Sequence, residues 1–318
     1  MEPLEVKVLR KRREAEGIAS FELERADGAP LPSFSAGSHI DVQVPGGLTR
    51  QYSLCNDSGE QHRYRIAVLR DPATRGGSKG MHDAVNEGDV IRISEPRNHF
   101  PLVHAQRTLL FAGGIGVTPL LCMAQRLAAI DADFTLHYSA RSKERTAFLE
   151  EIAASAFADK VRFHFDDAGP QQILNVPQDL GPPDPGTHAY ICGPAGFINH
   201  VLQVAQGMGW PASQLHLEYF TAAPQDHAAD GAFQVKIAST GKTYDVAKDQ
   251  TVVQALQARG VDILTSCEQG VCGTCITRVL EGEPDHRDLY FTDEEKAAND
   301  QFTPCCSRAR SRLLVLDL

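Results

Sequence analysis

The sequence predicts three consecutive domains of different class: an antiparallel β-barrel, a parallel-sheet α/β domain and a small α+β domain. Three observations carry this prediction. The first hundred residues read as short strands broken by Gly/Pro turns. Near residue 105 the pattern changes to strand–helix alternation. Beyond residue 232 a hairpin, a helix and a cysteine-rich loop follow. At 318 residues the chain is also long for one core, because hydrophobic cores stop growing beyond roughly 250–300 residues.

In the first segment Ile40, Val42 and Val44 alternate with polar residues ahead of a Pro45-Gly46-Gly47 turn, and Tyr64–Leu69 and Asp89–Ile93 are further strand candidates. Many short strands with such turns suggest a small antiparallel barrel. The second segment starts with the apolar run Thr108–Ala112, which leads through Gly113-Gly114-Ile115-Gly116-Val117-Thr118-Pro119 into a helical run over Leu120–Ala129. Strands at Phe134–Tyr138, Val161–Phe165, His188–Cys192 and Leu215–Phe220 then alternate with helices near Ala147–Phe157 and Phe197–Gln206. Repeated β–α units imply a parallel sheet with helices on both faces. Residues 222–231 are small, polar and Pro/Gly-bearing, the composition of a linker. After them come a hairpin, Phe233–Ala238 and Lys242–Val246, a helix over Val252–Arg259, and a closing strand, Leu313–Leu318. The expected domains are therefore 1–102, 103–221 and 232–318.

The net charge of −10 argues against nucleic acid, which needs a basic face. Residues 1–102 hold 14 Lys+Arg against 15 Asp+Glu, while residues 103–231 hold 7 against 13. The cations are thus densest where a phosphate ligand is expected. The first residues lack a secretory pattern, and no stretch approaches the roughly 20 apolar residues of a membrane span. The expectation is a cytoplasmic monomer that meets neither membrane nor nucleic acid.

Four of the eight cysteines cluster. Cys267, Cys272 and Cys275 are spaced C-x4-C-x2-C, and Cys305 follows after 29 intervening residues. A [2Fe–2S] cluster needs four thiolates, and this is the plant-type ferredoxin spacing. Gly270 and Gly273 lie between the ligands, where missing side chains let backbone N–H groups approach sulfur. Zinc is the competing metal, but tetrahedral zinc sites favour paired C-x2-C clips, and only one is present. Cys305 and Cys306 are neighbours. In an extended segment only one of them faces the cluster, and alternation alone leaves open which.

Four other segments are ligand candidates. In Arg50-Gln51-Tyr52-Ser53 an Arg fork can hold phosphate and a Tyr ring can stack on a flavin, although Arg/Tyr alternation also describes a half-exposed strand. Gly76-Gly77-Ser78-Lys79-Gly80 precedes a possible helix at Met81–Val85, and such a loop offers N–H groups to an anion or is merely a turn. Gly113–Pro119 suits close approach of a dinucleotide, or is simply a tight β–α turn. Cys192-Gly193-Pro194 ends a later strand, where a cysteine is usually core.

Taken together these segments resemble the phthalate dioxygenase reductase and vanillate O-demethylase reductase family, within the ferredoxin–NADP reductase superfamily. The resemblance covers essentially the whole chain. It implies a flavin barrel, a nicotinamide domain and a plant-type ferredoxin domain of β-grasp fold, in that order. It also implies FMN held by Arg50, Tyr52, Ser53, Ala67, Val68, Gly77 and Ser78. NADH is implied at Gly113, Gly114, Gly116, Gly193 and Pro194, with Ser139 and Arg141 toward the adenosine half. Thr118 and Cys192 would border the nicotinamide. Phe220 would lie over the flavin, a place it shares with the bland alternative of a core residue in a final strand. Aligned on the family's Cys-x-Ser-Arg, Cys305 is the fourth cluster ligand and Cys306 a packed neighbour.

The implied activity is reduction of a terminal Rieske-type oxygenase. NADH delivers two electrons at once and the cluster accepts one, so a flavin must stand between them. The alternatives are a general flavin/iron–sulfur donor to another oxidase and a redox-sensing module. Preference for NADH follows the family branch. Arg141, Lys143 and Arg145 complicate it, and Asp166-Asp167 would favour it only if that pair lies close to the adenosine site. For docking, the acidic run Glu281, Glu283, Asp285, Asp288, Asp293, Glu294 and Glu295 is one candidate, and Arg308, Arg310 and Arg312 the other.

Overall fold

A computed structural model describes residues 3–72, 76–221 and 230–318. The expected linker falls almost wholly on residues 222–229, outside the described residues. The chain divides into two compact units, Met1–Phe220 and Thr221–Leu318.

The first unit begins with β1 (Leu4–Ala15), β2 (Ile18–Arg25), β3 (Ser38–Val44), β4 (Leu48–Ser53) and β5 (Tyr64–Leu69). A helix, α1 (Gly77–Ala84), and strands β6 (Val90–Ile93) and β7 (Arg97–Asn98) complete this part. All pair antiparallel in the order β4-β3-β6-β1-β2-β5, with β7 on β3. A bridge between Leu54 and Ile66 joins the two ends and closes the barrel. The period-two reading of β3 holds, with Ile40, Val42 and Val44 all buried. β5 does not alternate, because both of its faces are covered. Tyr64, Ile66 and Val68 fill the barrel, while Ala67 joins a second core shared with the following α/β layer. On that second face Arg65, 7 % exposed, forms a bidentate pair with Glu151 at 2.7 Å for each bond.

The α/β layer contains β8 (Arg107–Gly113), α2 (Val117–Ala129), β9 (Asp133–Ala140), α3 (Leu149–Ala153) and β10 (Val161–Phe165). It continues with α4 (Val176–Leu180), β11 (Thr187–Gly193), α5 (Ala195–Gly207) and β12 (Leu215–Tyr219). The five strands are parallel in the order β10-β9-β8-β11-β12. Strand order reverses direction at β8, so the crevice at its carboxyl end, between the β8 and β11 loops, is the topological switch point where such sheets bind ligands. The helix expected over Ala147–Phe157 is only five residues long. It starts from Phe148 in left-handed conformation (φ 60°) and breaks into a turn at Ser155, whose hydroxyl donates to the Ile152 carbonyl.

The second unit comprises β13 (Phe233–Ile237), β14 (Thr243–Val246), α6 (Val252–Gln257), β15 (Thr277–Glu281) and β16 (Pro284–Asp285), then α7 (Asp293–Ala298), β17 (Gln301–Phe302), β18 (Arg308–Ala309) and β19 (Leu313–Leu316). Its main sheet runs β14-β13-β19-β15-β17, with β13 and β19 parallel. This is a β-grasp: α6, started by a Thr251/Gln254 capping box, packs Val252, Val253, Ala255 and Leu256 onto the sheet.

Candidate flavin, nucleotide and cluster sites

On the barrel, Arg50 and Ser53 sit on β4 and Ala67 and Val68 on β5. The glycine run that the sequence places before a helix is instead the helix's first turn, since α1 already begins at Gly77. A Cβ on Gly77 would lie 2.6 Å from Arg50 Cγ and 2.7 Å from its Nε. Gly77 therefore lets the guanidinium lie against the opening turn of α1, whose cap residue, Gly76, has no side chain to offer the helix N–H groups. A guanidinium beside uncapped helix amides suits a flavin phosphate. Ser78 accepts the Asp71 N–H through its hydroxyl at 3.2 Å, and His82 Nε2 contacts the Val68 carbonyl at 2.8 Å. Tyr52 is half-buried against the barrel core, and burial raises its pKa. Gly77→Ala should displace Arg50 and lower flavin retention about tenfold, a loss on the scale of one charge-assisted hydrogen bond. Flavin released on acid extraction, measured after desalting, checks this.

At the switch point the glycines divide by role. A Cβ on Gly116 would lie 2.2 Å from the Cys192 carbonyl oxygen, and one on Gly193 would lie 2.9 Å from Gly113 Cα. Gly113 in turn faces Phe197 and Pro194. These three glycines let the β8 and β11 loops touch. Gly114 differs: its φ is +54° and a Cβ there would meet nothing within 4 Å. It is the loop glycine open to a ligand. Thr118 is 2 % exposed and its hydroxyl donates to the Ile115 carbonyl at 3.1 Å, so it shapes the loop from within. Pro194 caps α5 from an exposed position.

The parallel register sets Cys192 opposite Glu218, a residue the sequence marks only as the start of the Glu218-Tyr219-Phe220 segment. The Cys192 thiol donates to Glu218 Oε2 at 3.9 Å, and the Ser53 hydroxyl approaches the same carboxyl from the barrel side, where it works against the rise in its pKa. Protein packed around the carboxyl pushes its pKa up to about 8, and burial raises the Cys192 thiol as well. A protonatable group therefore joins the expected flavin edge to the expected nicotinamide border. The sequence signal for it was the Glu218-Tyr219-Phe220 segment, similar to the family's Glu-x-Phe, which points to Phe220 rather than to the carboxyl. Phe220 packs against the core shared by barrel and sheet.

Ser139, next to last in β9, has its hydroxyl oxygen buried and without a hydrogen-bond partner among the described residues. Such an orphan suits a polar ligand group. Arg141 is exposed two residues on. The Asp167 N–H donates to the Arg141 carbonyl at 3.2 Å, and the Asp166 N–H to that of Ala140 at 3.1 Å. The acidic pair thus lies beside the candidate adenosine residues.

In the second unit the cluster cysteines converge. Cys267 Sγ is in hydrogen-bonding reach of Cys272 and Cys305, and Cys305 of Cys275. Backbone N–H groups point at sulfur, Gln269 to Cys267 at 3.3 Å and Thr274 to Cys272 at 3.5 Å. Gly270 and Gly273 both have φ +71°. A Cβ on Gly270 would meet Cys306 Sγ at 2.4 Å, and one on Gly273 the Tyr290 ring at 2.4 Å. Four converging thiols ringed by backbone donors fit an iron–sulfur cluster.

The charged residues considered for docking are mostly engaged internally. Glu283 pairs with Arg310 and Asp285 with Arg287. Asp288 is 2 % exposed and accepts the Phe291 and Tyr290 N–H groups. Glu295 completes a capping box with Thr292. Arg308 is buried and donates to the carbonyls of Gln250, Gly231 and Ala247.

A flavin-type barrel, a dinucleotide crevice and a four-thiol loop in one chain define an electron-transfer reductase with its own ferredoxin domain. Residues 235–310 match the 2Fe-2S iron–sulfur cluster binding domain family. The chain is 57 % identical over 316 residues to a vanillate O-demethylase oxidoreductase of a Pseudomonas species, covering 99 % of this chain and 100 % of that one. It is 39 % identical over 317 residues to the phthalate dioxygenase reductase of Burkholderia cepacia, covering 99 % and 97 %. Among solved structures, phthalate dioxygenase reductase, described as a modular structure for electron transfer from pyridine nucleotides to [2Fe–2S], superposes with TM-score 0.78 at 39 % identity over 99 % of this chain and 98 % of that one. An intact self-sufficient cytochrome P450 monooxygenase superposes with TM-score 0.86 at 38 % identity, covering 99 % of this chain and 41 % of that one. The chain belongs to the family of oxygenase reductases that includes vanillate O-demethylase oxidoreductase and phthalate dioxygenase reductase.

Proposed function

We propose that this chain takes hydride from NADH onto FMN and passes electrons singly through its [2Fe–2S] cluster to a terminal Rieske-type oxygenase of the aromatic acid dioxygenase or O-demethylase type. The observation that carries this reading is the meeting of Ser53, Cys192 and Glu218 at the switch-point crevice, in a chain that also holds the four-thiol loop. Bound flavin supplies the change from two-electron to one-electron chemistry. The protein's own residues do the rest. Arg50 and the opening turn of α1 anchor phosphate, Gly114 admits the nucleotide, and Glu218 holds a proton between Ser53 and Cys192. Cys267, Cys272, Cys275 and Cys305 hold iron. Among the described residues no helix is long and apolar enough to cross a membrane. We place the protein in the cytoplasm, acting as a monomer. The test is composition and turnover together: about one FMN, two irons and two acid-labile sulfides per chain, the content of one flavin and one [2Fe–2S] cluster, with NADH-dependent oxygenase turnover on mixing with a Rieske oxygenase. Zinc without iron, FAD in place of FMN, or cytochrome c reduction without any oxygenase turnover would each break a named part.

NADH should be favoured over NADPH by about tenfold or more in kcat/KM, because Asp166-Asp167 beside Arg141 repels a 2′-phosphate, and a discrimination of about 1.4 kcal/mol is tenfold. Steady-state rates with both nucleotides check this, and equal efficiencies would defeat it.

A further inference from the structure

Away from the crevice, three side chains of the α/β layer meet in a way the electron-transfer chemistry does not use. His137 on β9, His164 on β10 and Asp179 on α4 each present one ligand atom, and the three atoms all lie within 4.8 Å of one another. His137 Nδ1 is 3.1 Å from His164 Nε2 and 3.9 Å from Asp179 Oδ1. Around a tetrahedral zinc ion with Zn–N and Zn–O bonds of about 2.0–2.1 Å, neighbouring ligand atoms stand about 3.3 Å apart. The observed spacings bracket that value.

The three side chains are also held in place. The His137 ring stacks on Phe111 at 4.9 Å and 10° and is 4 % exposed. Asp179 Oδ2 accepts the Asn175 N–H at 3.0 Å, so the carboxylate is braced at the start of α4 and its other oxygen turns to His137. His164 also has the Gln172 backbone nearby, which works against the lowering of its pKa by burial. A backbone partner of that kind stands behind most metal-ligating histidines. No main-chain movement is needed to bring the set together.

We propose that His137, His164 and Asp179 form a binding site for a divalent transition metal of the zinc class, with the fourth position open to water. Two imidazoles and one carboxylate are the donor set such an ion prefers, whereas calcium and magnesium require more oxygens. The ion would tie β9, β10 and α4 together. It would thereby fasten the segment between β10 and α4, which begins with the Asp166-Asp167 pair.

The test uses the full chain with its flavin and iron–sulfur cluster in place. Holoprotein is incubated with zinc chloride, desalted, and its zinc and iron measured by mass spectrometry, with affinity read by calorimetric titration of zinc. Wild type should retain about one zinc per chain with iron unchanged, and zinc should raise Tm. His164→Gln and Asp179→Asn should each weaken zinc binding about tenfold or more, while their NADH–ferricyanide rates stay at wild-type level. His137→Phe is not relied on, because the ring is packed beneath Phe111. Absence of zinc from wild type, or equal zinc affinity in wild type and both variants, would overturn the proposal.

Discussion

Cys305→Ser should lose the iron and labile sulfide, and with them NADH-dependent cytochrome c reduction, while NADH–ferricyanide activity through the first unit survives. Cys306→Ser should keep all of these. The two neighbours have different surroundings. Cys305 Sγ reaches the sulfurs of Cys267 and Cys275 and the residue is 5 % exposed. Cys306 Sγ lies within reach of Cys305, and its other partners are the Thr303 hydroxyl at 3.3 Å and the Ser307 hydroxyl at 3.8 Å, with Gly270 beneath it. Removing a thiolate from a four-thiolate cluster leaves one iron without its ligand, whereas removing Cys306 costs a packed, weakly bonded thiol. The check is the reduced-state EPR spectrum of each variant. A normal spectrum in Cys305→Ser with loss in Cys306→Ser would reverse the assignment.

Glu218→Gln is expected to have the next largest effect, visible in two pH profiles. Burial raises the Glu218 carboxyl from 4.5 to about 8. Between those values the folded protein keeps a proton that the unfolded chain releases. The associated stability is fully present below the unfolded pKa and is lost as pH rises through the folded one. Wild-type Tm should therefore fall relative to Glu218→Gln between about pH 5 and 9, since Gln does not titrate. The rate of NADH-driven flavin reduction should lose its pH step near 8 in the variant, because the carboxyl bonded to Cys192 and close to Ser53 is replaced by an amide that does not ionise. A Tm difference independent of pH, together with an unchanged rate profile, would remove Glu218 from this role.

Much of the fold was legible because local physics agreed with tertiary context. Tyr64–Leu69 and Val161–Phe165 are strands over just those residues, and the hairpin at Phe233–Ile237 and Thr243–Val246 forms as expected. β1 was not legible. Its sequence LEVKVLRKRREA buries only Val6, Val8 and Ala15, so it carries too few apolar residues for a period-two pattern to stand out. The acidic run 281–295 looked like one solvated surface, yet Asp288 turns inward to hold two backbone amides. Charge counting cannot distinguish a docking carboxylate from one that props a loop.

What the sequence marks by itself are the candidate sites whose groups are close in the chain. The C-x4-C-x2-C spacing, the Arg50–Ser53 segment and the Gly113–Pro119 loop each place their donors within a few residues, so the backbone alone sets their reach. Tertiary structure decided whatever depends on pairing distant segments. Glu218 meets Cys192 only through the β11–β12 register, and it meets Ser53 only because barrel and sheet share a core. Gly116 and Gly193 turned out to serve loop contact while Gly114 stays open. His137, His164 and Asp179 are brought together from two neighbouring strands and a helix. Such contacts span tens to more than a hundred residues of chain. Their partners are selected by strand order and packing, which no local pattern encodes.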